Sequence, residues 1–149
     1  MPERTRTPDE IVGRMIDLAE KKYNCSQITM ALFLEQEQKE NPDLMRAMSG
    51  LGDGCGFFHE TCGIMTGAAS VFGLYAGKGA DNEEESDHLL PMLEEFGDWF
   101  CRETTEKYKG TRCKEIVGDQ VGTLEGKQIC GALIFEAYNQ INAILSNRY

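Results

Sequence analysis

Cysteine is the residue type in this chain with the most chemistry to offer, and it occurs six times, as Cys25, Cys55, Cys62, Cys101, Cys113 and Cys130. A thiolate attacks disulfides and binds soft metals. Helix-start signals place several of these thiols. Asn24, with Gln27 three residues later, reads as a cap that puts Cys25 in a first helical turn. Cys62 stands at the opening of an uncharged run over residues 61–77. Thr111 can cap a short turn, TRCKEIVG, with Cys113 near its start and Gly118 as terminator. Cys130 falls one to two turns into the last helical segment. A thiol at a helix amino terminus meets the positive dipole end and unpaired N–H groups, so lowered thiol pKa values are expected. Arg112, Lys114 and Lys127 add positive charge near two of the thiols. There is no C-x2-C pair and no ferredoxin spacing, so a shared site must be assembled by the fold.

His59 lies between Cys55 and Cys62 as C-x3-H-x2-C. It is either an alternative ligand or a polar loop residue with Glu60 as partner. The glycine-rich stretch from Gly50 to Gly56 lacks the lysine and Ser/Thr of a phosphate loop and follows no strand. A tight turn that delivers Cys55, His59 and Cys62 to one place is the better reading. No Ser-His-Asp set and no H-E-x-x-H occurs, which leaves hydrolase chemistry without support.

The elements that must position these residues read as helices. Thr7, Pro8 and Glu10 form a capping box for a helix to about Lys22, and Asn24 opens a second to about Lys39. Asn41 and Pro42 start a short third helix through Met48. The run over residues 61–77 is too short to span a membrane, which takes roughly 20 apolar residues, and reads as a buried central helix. Its glycines cost a helix about 1 kcal/mol each, so close approach of a neighbour along Gly63 and Gly67 is expected. Acidic residues 83–85 suit a helix start, with Leu89, Leu93, Phe96 and Phe100 on one face and Pro91 as a kink or second start. The last helix runs from about Leu124 to Ser146. No alternating strand pattern of useful length occurs. The fold class is therefore all-α, a compact bundle of about six helices around a glycine-rich buried central helix.

Length makes one domain of residues 1–149, with 1–7 as a flexible tail. The net charge of −10 argues against nucleic acid and anionic membrane surfaces. The amino terminus has no apolar signal region, and a cytoplasmic location is expected. In a reducing compartment, cysteines in this number act more often as metal ligands or redox thiols than as disulfides.

The segments YNCSQ, ETCGIMTG and TRCKEIVG, with the late Cys130, resemble the C_GCAxxG_C_C family of small four-cysteine proteins with a CGAxxG motif. The resemblance runs from about Ile11 to Leu145. It implies that Cys25, Cys62, Cys113 and Cys130 are the family's four cysteines and that Gly63 and Gly67 are its motif glycines. Ile64 stands where the motif has alanine, and Cys55 and Cys101 are extras. The resemblance implies redox or metal chemistry without naming a reaction. Three functions fit. In the first, Cys25, Cys62, Cys113 and Cys130 hold an iron–sulfur cluster or an iron or zinc ion, with Cys55 and His59 as less favoured ligands. In the second, Cys62 attacks and Cys25, Cys55 or Cys113 resolves in a dithiol/disulfide switch. In the third, the cysteines only pack a helical interaction module. The partner expected is a redox protein or a small thiol, and a homodimer is possible. Covalent haem is not expected, since there is no C-x-x-C-H.

Overall fold

Local capping sets most of the helix starts. The structure is a computed structural model, and it describes residues 5–148. The Thr7 side chain accepts from the Glu10 N–H while the Glu10 carboxylate accepts from the Thr7 N–H, and this box opens α1 (Pro8–Glu20). Asn24 and Gln27 make the same reciprocal pair at the start of α2 (Cys25–Gln36). Asn41 caps α3 (Pro42–Ser49). The chain continues through two 3₁₀ turns, over residues 52–54 and 56–58, into α4 (Gly63–Ala76). Then follow α5 (Leu89–Lys107), α6 (Cys113–Ile116), a 3₁₀ turn over 118–120 and α7 (Leu124–Arg148). Among the described residues there is no strand; Thr61 and Arg112 form one isolated antiparallel bridge.

The all-α expectation holds, with a central pair of helices in place of one. From Ile28 to Leu34, α2 is buried on every side, as a helix apolar all round must be. It lies against α4, whose Gly63, Ile64, Gly67, Ala68, Val71, Phe72 and Ala76 are buried. A Cβ on Gly67 would stand 3.0 Å from the Thr29 Cβ and 3.2 Å from the Ser26 carbonyl oxygen. A Cβ on Gly63 would run into the Cys25 sulfur. The expected close approach along this stripe therefore occurs within the chain, against α2. Around the pair, α5 contributes Phe96 and Phe100, with Phe72 and Phe96 edge to face at 5.8 Å. From α7, Leu133, Ile134, Ala137, Ile141 and Ile144 close the core.

Two expected helix starts move. Residues 83–85 are not helical, and α5 begins at Leu89, which places Pro91 in its first turn where its missing N–H costs nothing. Glu83 instead turns back to accept from the Gly79 N–H at 2.8 Å. At α6 the capping position is Arg112, not Thr111, because Arg112 is held by the bridge to Thr61 and by Glu115. The tail expected over residues 1–7 lies in part, at 1–4, outside the described residues. Arg6 is docked, pairing with Glu35 at 3.0 Å and donating to the Leu32 carbonyl at 2.8 Å.

Candidate functional site: four thiols beside the 50–61 loop

Each of the four thiols expected to act together is held by a different helix. Cys25 is the first residue of α2, and Cys62 is the capping residue of α4. The Ile64 and Met65 backbone N–H groups work to lower the Cys62 pKa, although neither makes a capping hydrogen bond to its sulfur. Cys113 opens α6, and its position is set by a short zipper. Its N–H donates to the Glu60 carbonyl at 2.6 Å, and the Lys114 N–H donates to the His59 carbonyl at 2.9 Å. With the Thr61–Arg112 bridge, this ties residues 111–114 to the segment that leads into Cys62. Cys130 lies in the second turn of α7. All four are free thiols.

Electrostatic influence runs among them. Burial is the first cause that pushes Cys62 up to about 12, Cys130 up to about 12 and Cys113 up to about 11. After burial, the Cys25 charge is the next cause at each of the three. Cys130 also feels Cys62 and Cys113. Cys25 itself is raised, first by burial, and Asp53 adds to that.

These directions reverse the expectation of lowered thiol pKa values. Helix dipoles and N–H donors do act on Cys62 and Cys25, but the loss of water outweighs them. Arg112 and Lys114 are spent on Glu60 and Glu115, with Lys114 to Glu60 at 2.5 Å and Arg112 to Glu115 at 2.9 Å. The ionised group that acts on the thiols is instead an acid. The Asp53 carboxylate raises Cys25, Cys113 and Cys130. The pocket is thus electronegative.

Asp53 is a site residue that motif reading passed over. It sits in a loop whose backbone turns left-handed at Asp53, Gly54, Cys55 and Gly56 in succession, and again at His59. The Asp53 carbonyl lies 3.0 Å from His59 Nδ1, and that nitrogen is 3.8 Å from the Cys113 sulfur. The Cys25 sulfur stands where a Cβ of Gly63 would meet it, a position 3.2 Å from the Cα of Gly52, the residue before Asp53. The unusual density of glycine in this loop was the available signal. His59, expected either as a ligand or as a partner of Glu60, contacts Asp53 and Cys113; Glu60 pairs with Lys114 and Arg112. Tyr108, at the end of α5, is a second unforeseen neighbour. Its hydroxyl is pushed up first by burial and also by Cys130.

Cys55 is exposed and holds a left-handed backbone at φ 66°, whereas Cys62 and Cys113 are buried. Cys101 is exposed on α5 and lines a shallow groove with Arg102, Thr105 and Glu106. None of the four thiols lines this groove or a second one, between α5 and α7, lined by Trp99, Glu103, Lys107 and Glu136.

A protein-family model described as "Putative redox-active protein (C_GCAxxG_C_C)" matches residues 23–144. The chain belongs to this family. No curated protein and no solved structure matches it. In this C_GCAxxG_C_C protein Ile64, the departure from the motif alanine, is fully buried in the core, while its neighbour Gly63 faces Cys25. The larger side chain is therefore absorbed away from the thiols.

Four thiolates are a chemically suitable donor set for an iron–sulfur cluster or zinc. Among the described residues, no three Cys, His, Asp or Glu side chains are placed to hold a single metal ion. Also among them, no helix is long and apolar enough to cross a membrane.

Proposed function

We propose that this protein is a dithiol/disulfide redox protein whose working groups are drawn from Cys25, Cys62, Cys113 and Cys130. The observation that carries the reading is the convergence of helix starts: a Cβ on Gly63, next to Cys62, would run into the Cys25 sulfur, the Cys113 N–H donates to the Glu60 carbonyl two residues before Cys62, and all these thiols are free. Crowded thiols that raise one another's pKa resist ionising together. Two neighbouring thiols of this kind are joined as a disulfide by exchange with an external one, through a mixed disulfide. The balanced step takes two protein thiols and one external disulfide, from a partner protein or a small thiol compound. It gives one protein disulfide and two external thiols.

The test is a thiol count in denaturant before and after exposure to oxidised glutathione. A loss of two thiols is expected, unchanged in the Cys55→Ser/Cys101→Ser variant and cut to at most one, held as a mixed disulfide, in Cys25→Ser. A count that does not move would sink this reading.

The second reading has an iron–sulfur cluster or an iron or zinc ion on the same four thiolates. The donor chemistry favours it, while among the described residues no three such side chains are placed to hold a single ion. Near-stoichiometric iron and sulfide, with charge-transfer absorption in anaerobically purified protein, would favour it over the first.

A further inference from the structure

Within the dithiol reading, the next question is which thiol meets the external disulfide. We infer that Cys113 is the attacking thiol, that the His59 Nδ1–H holds the thiolate it forms, and that Cys25 resolves the mixed disulfide.

Geometry carries the assignment. A carbonyl oxygen only accepts, so the 3.0 Å contact of His59 Nδ1 with the Asp53 oxygen requires a hydrogen on that nitrogen. The Cys113 sulfur stands 3.8 Å from the same nitrogen. The N–H therefore lies between an oxygen and a sulfur, and it is present in the neutral ring as well as the charged one. Once Cys113 loses its proton, the sulfur becomes the stronger acceptor and draws this donor. Among the described residues, only backbone N–H groups work to lower the Cys62 and Cys25 pKa values. His59 is half-buried on the surface loop, so it and its loop are the cover over Cys113. Cys113 and Cys62 are 7% and 5% exposed, so burial does not separate them and the His59 donor at Cys113 does. The Cys25 sulfur lies where a Cβ of Gly63 would run into it, a position 3.2 Å from the Cα of Gly52 in the same loop as Asp53, which makes Cys25 the neighbour that completes the exchange.

The step balances. The Cys113 thiol gives its proton to water, and the thiolate attacks one sulfur of R–S–S–R. The S–S bond breaks, a Cys113–S–S–R bond forms, and R–S⁻ leaves and takes up a proton. The Cys25 thiolate, its proton released in turn, attacks the Cys113 sulfur. That forms the Cys25–Cys113 disulfide and releases the second R–S⁻. Two protein thiols are oxidised and one external disulfide is reduced.

The experiment measures the alkylation rate of each cysteine with iodoacetamide by peptide mass spectrometry, across a pH series. In the wild type, Cys113 should react fastest of the four. In His59→Ala its rate should fall about tenfold and its pH profile move upward, as loss of one charge-assisted donor predicts. His59→Asn, which keeps a donor near Nδ1 and tolerates the left-handed backbone at φ 48°, should recover most of the rate. A wild type in which Cys62 or Cys130 outruns Cys113, or an alanine variant with an unchanged Cys113 profile, overturns the assignment. The wild-type ranking decides the matter even if the alanine variant does not fold. Both results are independent of the glutathione thiol count, so the dithiol reading and the assignment can fail separately.

Discussion

Adding one methyl group at Gly63 tests how tightly the thiol site is built. The new Cβ of Gly63→Ala would collide with the Cys25 sulfur and stand 3.2 Å from both the Gly52 Cα and the Leu51 carbonyl oxygen. The sulfur can rotate away, but the two backbone atoms cannot. Overpacking of this kind costs about 1–3 kcal/mol. The helix preference of alanine over glycine returns up to about 1 kcal/mol, and less at a first helical residue. The net loss is about 1–2 kcal/mol, which at about 2–4 °C per kcal/mol is a fall in Tm of about 2–8 °C. Gly73→Ala is the control on the same helix. A Cβ at that position would meet no atom within 4 Å outside its own helix backbone and chain neighbours. The substitution there should gain about 0.5–1 kcal/mol and raise Tm by about 1–4 °C. Thermal unfolding followed by circular dichroism reads both. Alkylation of Cys25 should also speed up in Gly63→Ala as its sulfur is pushed from its seat. If Gly63→Ala melts at or above the wild type with Cys25 reactivity unchanged, the close α2–α4 contact is wrong.

Two further outcomes follow from charge. The buried thiols bind protons more tightly folded than unfolded, since their pKa values rise from 9.0 to about 11 or about 12. Their contribution to stability is complete below pH 9 and is lost as pH climbs toward 12, by up to about 1.4 kcal/mol per unit per thiol. Urea midpoints measured from pH 8 upward should fall over that window, and Cys62→Ala should lessen the slope. Near the other end of α2, Glu35 pairs with Arg6 at 3.0 Å and with Arg14 at 2.7 Å, all half-buried. Glu35→Gln should cost about 1 kcal/mol in urea unfolding, and less in 1 M salt; no loss at low salt would deny the pairing any role.

How much of this was legible in the sequence depends on the range of the forces concerned. The Thr7–Glu10 and Asn24–Gln27 boxes act within four residues, and both form as read. The apolar period of α7 and the glycines of α4 named the faces that pack. The start of α5 did not follow the same logic. Residues 83–85 have local helix-start chemistry, but they are exposed, and Leu89 begins the helix where the core begins.

For the site, the sequence by itself determined which thiols stand at or near helix starts, because capping is local chemistry. It also carried the order of cysteines and glycines that marks the family. Only the tertiary structure decided that desolvation beats the helix dipole at those thiols, because burial is summed over neighbours distant in the chain. The same holds for the left-handed loop that sets the Asp53 carbonyl on His59, and for the exposure of Cys55. Those outcomes depend on which backbone atoms meet once α2, α4, α6 and α7 have packed, and no spacing along the chain records that.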